Sequence, residues 1–185
     1  MLQDIKQITP QNGDKFFVDT NVWFWTTYIP SKTFIAKKPH DYQIEFYPNF
    51  IEKALEVGAI LYSSPLVLVE ISNIIERSEW EIHKAYNPNE TISLKRFRSI
   101  PKEREEVLNE IKTAWDSITS MSSELSMTLD NSVSREFVDI IDNNKIDGYD
   151  ALYFQLMCQN KVGNIITDDK DFRHLPGIDT FTCYQ

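Results

Sequence analysis

Acidic residues follow two short apolar runs in this chain, and this pattern limits the folds that it can adopt. Asp19 comes directly after Phe16-Phe17-Val18, while Asp168 and Asp169 follow Ile165-Ile166-Thr167. Short apolar runs of this kind are typical of buried strands in a parallel sheet. Because ligands gather at the carboxyl edge of such sheets, we expect the acids of both runs to lie on one rim.

Further acids occur in and before predicted helices. Glu70 lies among apolar residues in a helix that we expect to begin at Ser64-Pro65, an N-cap residue followed by proline. A carboxylate in such surroundings is rare unless it is paired, although Glu70 could instead turn toward solvent. Asp147 and Asp150 stand at the start of another helical pattern, where they could also serve as capping residues.

Bringing these carboxylates together is unfavourable because like charges repel. Two of them about 4 Å apart cost on the order of 4 kcal/mol at an effective dielectric constant near 20, so protons or cations must compensate. The candidate ligands are all oxygen donors, which suit Mg²⁺ or Mn²⁺, and the sequence has no His-Glu-x-x-His motif. The sequence therefore predicts a site for a hard divalent cation, and such cations most often act on phosphates.

The apolar periodicity predicts strands and helices in alternation. We expect strands at residues 16–18, 59–62, 125–129, 164–166 and 181–184. We expect helices at residues 46–57, 101–121 and 134–141, with one beginning at Ser64-Pro65 and another near Gly148. The polar segment from Met1 to Lys15 carries no predicted element. This alternation indicates an α/β fold.

Composition and charge limit the function classes. With 185 residues, 42% of them hydrophobic, the chain is expected to form one domain without a signal peptide or membrane span. A net charge of -9 argues against a passive nucleic-acid binder, but bound cations would cancel part of this charge in a nuclease. Cys158 and Cys183 form no CxxC motif, which favours a reducing cytosol.

One local stretch, Lys95-Arg96-Phe97-Arg98, is basic. Lys95, Arg96 and Arg98 could hold a phosphate backbone while Phe97 stacks on a base. The alternative interpretation is a solvated loop and helix start ahead of Glu103. The sequence leaves both interpretations open.

Taken in order, the acidic segments resemble the signatures of PIN-domain nucleases, in particular the VapC-type toxins. The segments are Phe17-Val18-Asp19-Thr20-Asn21, Ser64-Pro65 with Glu70, Asp150-Ala151-Leu152 and Ile166-Thr167-Asp168-Asp169-Lys170-Asp171-Phe172. The resemblance covers about 15–25, 59–75 and 145–184, whereas 28–47 and 78–123 match nothing and are interpreted as inserted or divergent. It implies a single PIN-like domain over residues 1–185, with a twisted parallel sheet, helices on both faces and a helical insertion in the middle.

The resemblance also implies roles for single residues. The catalytic and metal-binding acids would be Asp19, Glu70, Asp150 and Asp169. The family pattern of Thr, any residue, Asp selects Asp169 over Asp168, which we expect to point elsewhere. The supporting residues would be Asn21, Thr167, Asp147 and Asp168, with Asp147 also a candidate extra ligand.

The function implied is a cytoplasmic, Mg²⁺- or Mn²⁺-dependent endoribonuclease. A VapC-like protein would cleave RNA, pair with a small antitoxin and often form a homodimer. A DNA nuclease with the same site, a stand-alone RNA-processing nuclease and a PIN scaffold used for binding are the alternatives. A haloacid-dehalogenase pattern would need a second Asp two residues after Asp19, where this chain has Asn21.

Overall fold

The computed structural model describes residues 1–183 and contains a six-stranded sheet at its centre. Its strands are β1 (Leu2–Asp4), β2 (Lys15–Val18), β3 (Ile60–Ser63), β4 (Ser123–Glu124), β5 (Asn164–Ile166) and β6 (Asp179–Thr182). All neighbouring strands are parallel, in the order β1-β6-β5-β2-β3-β4. The two strands that precede the predicted acids, β2 and β5, are therefore adjacent in the middle of the sheet.

Helices cover both faces of this sheet. They are α1 (Thr20–Thr27), α2 (Asp41–Glu56), α3 (Pro65–Tyr86), α4 (Leu94–Arg98), α5 (Pro101–Met121), α6 (Asn131–Asn144) and α7 (Gly148–Gln159). Successive side chains of β2 point to opposite faces. Phe16 packs against Phe50 of α2 on one face, and Phe17 packs against Tyr153 of α7 on the other. All of these aromatic side chains are buried, which places the main core on both sides of β2. The α/β fold with a parallel sheet is thus confirmed.

Several predicted elements agree closely with the structure. The strand at Asn164–Ile166 and the helix at Pro101–Met121 have the predicted bounds, and α3 begins at Pro65 with Ser64 as its N-cap. The end of α2 is also explained by local sequence, because Gly58 adopts a φ of +80° that side chains rarely accept.

Other predicted elements are wrong or displaced. Residues 125–129 form no strand, because the chain leaves the sheet after two residues of β4 and Leu129 is 64% exposed. The strand β1 was not predicted, since a three-residue polar edge strand carries little signal. The last strand ends at Thr182, and Tyr184, to which it was expected to extend, lies outside the described residues.

The two divergent regions differ in form. Residues 78–123 are largely helical, as expected, and enclose a second small core of Ile92, Phe97 and Val107. In residues 28–47, a turn of 3-10 helix at Ile29–Ser31 and an irregular segment lead into α2. Lys32 connects this segment to α3 and α5 through ion pairs of 2.6 Å to Glu79 and 2.7 Å to Glu110. None of the helices within residues 1–183 is long and apolar enough to cross a membrane.

Candidate metal centre

The carboxyl ends of β2 and β5 bring Asp19 and the 167–169 segment together. In the parallel register Val18 lies opposite Ile166, so both strands end at the same level. The backbone N–H of Asp19 donates to the carbonyl oxygen of Ile166 at 3.1 Å. Asp19 is also the N-cap of α1, which begins at the next residue. The sheet and this helix therefore fix the backbone of Asp19.

Thr167 connects two of the acids directly. Its hydroxyl donates to Oδ2 of Asp19 at 2.6 Å and accepts the backbone N–H of Asp169 at 2.9 Å. Thr167 itself is fully buried. One hydroxyl thus sets the orientation of the Asp19 carboxylate and the path of the chain at Asp169.

Three carboxylates converge beside Asp19, where the start of α7 meets the turn after β5. Asp150, Asp169 and Asp171 each have a carboxylate oxygen within 4.8 Å of the others. The backbone N–H of Asp171 donates to Oδ1 of Asp169 at 2.9 Å, which shapes the turn. Asp171 was not among the predicted site residues. The sequence did hold a signal for it, because Asp171 follows Asp169 by two residues in a segment that leaves the strand edge.

Burial and mutual repulsion disfavour negative charge at this site. Burial raises the pKa of Asp19 to about 7, and the charges of Glu70 and Asp169 add to this effect while the Thr167 hydrogen bond opposes it. Burial likewise raises the pKa of Asp150 to about 9, followed by the charges of Asp19, Asp147, Asp169 and Asp171. Asp19, Asp150 and Asp169 therefore lie close enough for their charges to interact. Without a cation, protons must neutralise part of the site near neutral pH.

Glu70 reaches the same region from the second turn of α3. Its Oε2 accepts a hydrogen bond from the hydroxyl of Tyr153 at 2.6 Å, and that hydroxyl lies 2.6 Å from Oγ1 of Thr20. Two short hydrogen bonds therefore separate Glu70 from the residue after Asp19. Nothing local in the sequence indicates these polar contacts of Tyr153.

The remaining predicted site residues lie around these acids. Asp147 is the N-cap of α7, as expected, and accepts the backbone N–H groups of Tyr149 at 2.8 Å and Asp150 at 3.1 Å. It thereby fixes the first turn that carries Asp150. Asn21 is half-buried in the first turn of α1.

Asp168 faces the first turns of α2. Its carboxylate accepts hydrogen bonds from the hydroxyl of Tyr42 at 2.9 Å, the amide of Gln43 at 2.7 Å and the hydroxyl of Tyr47 at 2.7 Å. Consecutive side chains therefore have different partners, with Asp169 in the acidic cluster and Asp168 holding the start of α2.

The basic stretch has a different environment from the one that base stacking requires. Phe97 is 1% exposed and packs in the small second core, so the interpretation of Phe97 as a base-stacking residue is wrong. Arg98 pairs through Nε and Nη2 with the buried carboxylate of Glu76, which also accepts from Arg104 at 3.1 Å. Lys95 and Arg96 are exposed on α4. Arg98, the third predicted phosphate contact, is instead paired with Glu76.

The donor chemistry fits a hard divalent cation. The converging groups are carboxylates, and Mg²⁺ or Mn²⁺ is held in proteins chiefly by such oxygen ligands. The raised pKa values of Asp19 and Asp150 show that negative charge is disfavoured there, and a cation would compensate this charge. Within residues 1–183, the carboxylates of Asp150, Asp169 and Asp171 form the group whose spacing could hold it. This group includes two of the four predicted ligands, Asp150 and Asp169, whereas the roles of Asp19 and Glu70 as ligands stay predictions.

Neither a protein-family model nor a curated protein matches the sequence. The structure is similar to a chain in the crystal structure of VapBC2 from Rickettsia felis, in which VapBC2 is bound to a DNA fragment from its promoter. The TM-score is 0.51 at 13% sequence identity, with 91% of this chain and 98% of that chain covered. At this identity the likeness concerns the fold alone, and it is consistent with the PIN-like fold that the sequence resemblance implies.

Proposed function

We propose that this chain is a metal-dependent endoribonuclease built as a single PIN-like domain. Asp19, Glu70, Asp150 and Asp169 bind Mg²⁺ or Mn²⁺ and form the catalytic site. The observation that carries this proposal is the convergence of Asp150, Asp169 and Asp171, from α7 and the turn after β5, beside the buried Asp19 at the carboxyl edge of the sheet.

The chemistry divides between the cation and the chain. When bound, a divalent cation lowers the pKa of a water so that it can attack a phosphodiester, and stabilises the leaving oxygen. The carboxylates would hold the cation, and they form no covalent bond to the substrate. Thr167 keeps Asp19 and the Asp169 segment in register through its two hydrogen bonds. Burial and the neighbouring carboxylates raise the pKa of Asp150 to about 9, and a bound cation would favour its ionised form.

RNA is the substrate that we favour, because the sequence signatures resemble those of VapC-type toxins. A PIN-fold DNA nuclease is the alternative within the same chemistry, and cleavage of RNA and DNA of one sequence separates the two. A stand-alone RNA-processing nuclease would share the activity and lack an antitoxin. A PIN scaffold used only for binding is less well supported, because the four acids that the resemblance assigns to catalysis are all present in the sequence.

We further propose a small antitoxin protein as a partner, a homodimer as the assembly and the cytoplasm as the location. The likeness to VapBC2 supports the first of these. Co-expression with the product of an adjoining small open reading frame tests the antitoxin, and light scattering of the purified chain tests the dimer.

The decisive experiment compares four proteins on single-stranded RNA with Mg²⁺ or Mn²⁺. We expect wild type to cleave, EDTA to stop it, and Asp19→Asn and Asp169→Asn to abolish cleavage. Asp116→Asn is the matched control, since it makes the same chemical change at an exposed position of α5 and should leave cleavage intact. Undiminished cleavage by either site variant, or by wild type in EDTA, would contradict the proposal.

A further inference from the structure

A chain of hydrogen bonds links three elements of the candidate metal centre. The hydroxyl of Tyr153 lies 2.6 Å from Oε2 of Glu70 and 2.6 Å from Oγ1 of Thr20. Tyr153 is one turn after Asp150 on α7, and Thr20 directly follows Asp19. A single side chain that is 1% exposed therefore joins three segments, each of which carries a proposed ligand.

The chemistry of the groups fixes the direction of these bonds. Tyr153 gives its one hydroxyl proton to the Glu70 carboxylate, which accepts it. Tyr153 then has only lone pairs left for Thr20, and the Thr20 hydroxyl donates to it. The chain therefore runs from Thr20 to Tyr153 to Glu70, and each bond strengthens the next.

We propose that Tyr153 is a positioning residue that holds the Glu70 carboxylate in the orientation required to bind the divalent cation. This inference rests on the proposed function. An unconstrained glutamate side chain samples many rotamers. Ordering its carboxylate costs conformational entropy, and this cost opposes cation binding. The hydrogen bond to Oε2 orders the carboxylate before a cation binds. Thr20 supports the same arrangement by orienting the tyrosine hydroxyl.

The packing of the ring allows the hydroxyl to be tested separately. The ring of Tyr153 lies 5.1 Å from that of Phe17, centroid to centroid, in the core between α7 and the sheet. Tyr153→Phe keeps this contact and removes only the hydroxyl. The chain also offers a matched control in Tyr28, a buried tyrosine whose hydroxyl donates to Glu79 at 2.8 Å. Tyr28→Phe removes the same kind of bond from a glutamate that is not a proposed ligand.

The experiment measures Mn²⁺ affinity by calorimetry and by electron paramagnetic resonance, with the thermal unfolding of each variant recorded alongside. Tyr153→Phe is expected to weaken Mn²⁺ binding by about 10- to 100-fold, the usual effect of removing a hydrogen-bond partner of a metal ligand. Thr20→Val should weaken it less, because the bond from Tyr153 to Glu70 remains. Tyr28→Phe should bind Mn²⁺ as wild type does, whatever its stability.

Cleavage measured against Mn²⁺ concentration gives an independent result. In Tyr153→Phe, the Mn²⁺ concentration needed for half-maximal cleavage should rise more than kcat falls. Wild-type Mn²⁺ affinity in Tyr153→Phe, or equal weakening in Tyr28→Phe, would overturn the role of Tyr153 while leaving the proposed function standing. Absence of Mn²⁺ binding by wild type would overturn both.

Discussion

Replacing Asp19 with asparagine should stabilise the metal-free protein above about pH 5. Asp19 is 4% exposed, and its pKa rises from an ordinary 3.8 to about 7, mainly because burial disfavours its charged form. Since each pKa unit corresponds to about 1.4 kcal/mol, ionising Asp19 in the folded protein destabilises it by up to about 4 kcal/mol. The asparagine oxygen can still accept the hydrogen bond from Thr167, so the substitution removes the charge and keeps this contact.

The sign of the pH dependence follows from proton binding. Between about pH 4 and pH 7 the folded state binds more protons than the unfolded state, so the free energy of unfolding falls as pH rises. The stability associated with Asp19 is thus fully present below pH 3.8 and is lost as pH rises through about 7. Asp150, with a pKa of about 9, extends the loss to higher pH.

Urea unfolding at pH 5 and pH 8 in EDTA measures both effects. We expect Asp19→Asn to exceed wild type by about 2 to 4 kcal/mol at pH 8 and by much less at pH 5. Added Mn²⁺ should stabilise wild type at pH 8 and stabilise the variant far less. A variant that is less stable than wild type at pH 8, or a difference independent of pH, would show that the charge of Asp19 does not destabilise the folded protein.

Three further predictions concern residues outside the four proposed ligands. Asp168→Asn should lose about 2 kcal/mol of stability in urea unfolding, because three side chains donate to this carboxylate; unchanged stability would show that those bonds contribute little. Glu76→Gln should lower the melting temperature by weakening the pairing with Arg98, and an unchanged or higher value would contradict this. Replacing Lys95 and Arg96 with alanine should reduce the slope of log RNA affinity against log salt by about one for each lost phosphate contact, and parallel lines would show ordinary solvated surface.

The sequence predicts best where local pattern and tertiary structure agree. An apolar run that ends in an acid, as at Asp19, needs only the rule for parallel sheets to place the acid on the rim. Edge strands such as β1 and β4 depend instead on a distant partner strand, so their own residues carry little information.

The surroundings of the site were harder to predict. Asp168 and Asp169 have the same side chain, and only the donors of the 42–47 region show that Asp168 faces α2. Tyr153 fits an apolar helix pattern. Its hydroxyl donates to Glu70, which is 83 positions away in the sequence, so no local pattern indicates this contact. Phe97 lies between exposed cations in the sequence, yet the helix turns it into the small core.

Anomalous diffraction from crystals soaked in Mn²⁺ locates the bound cation. We expect a Mn²⁺ peak at the carboxyl edge of the sheet, about 2.1 Å from carboxylate oxygens of the set Asp19, Glu70, Asp150 and Asp169. Asp19→Asn crystals should lose the peak or show it much weakened. A Mn²⁺ peak elsewhere with this edge empty, or an unchanged peak in Asp19→Asn, would contradict a metal centre built from these acids.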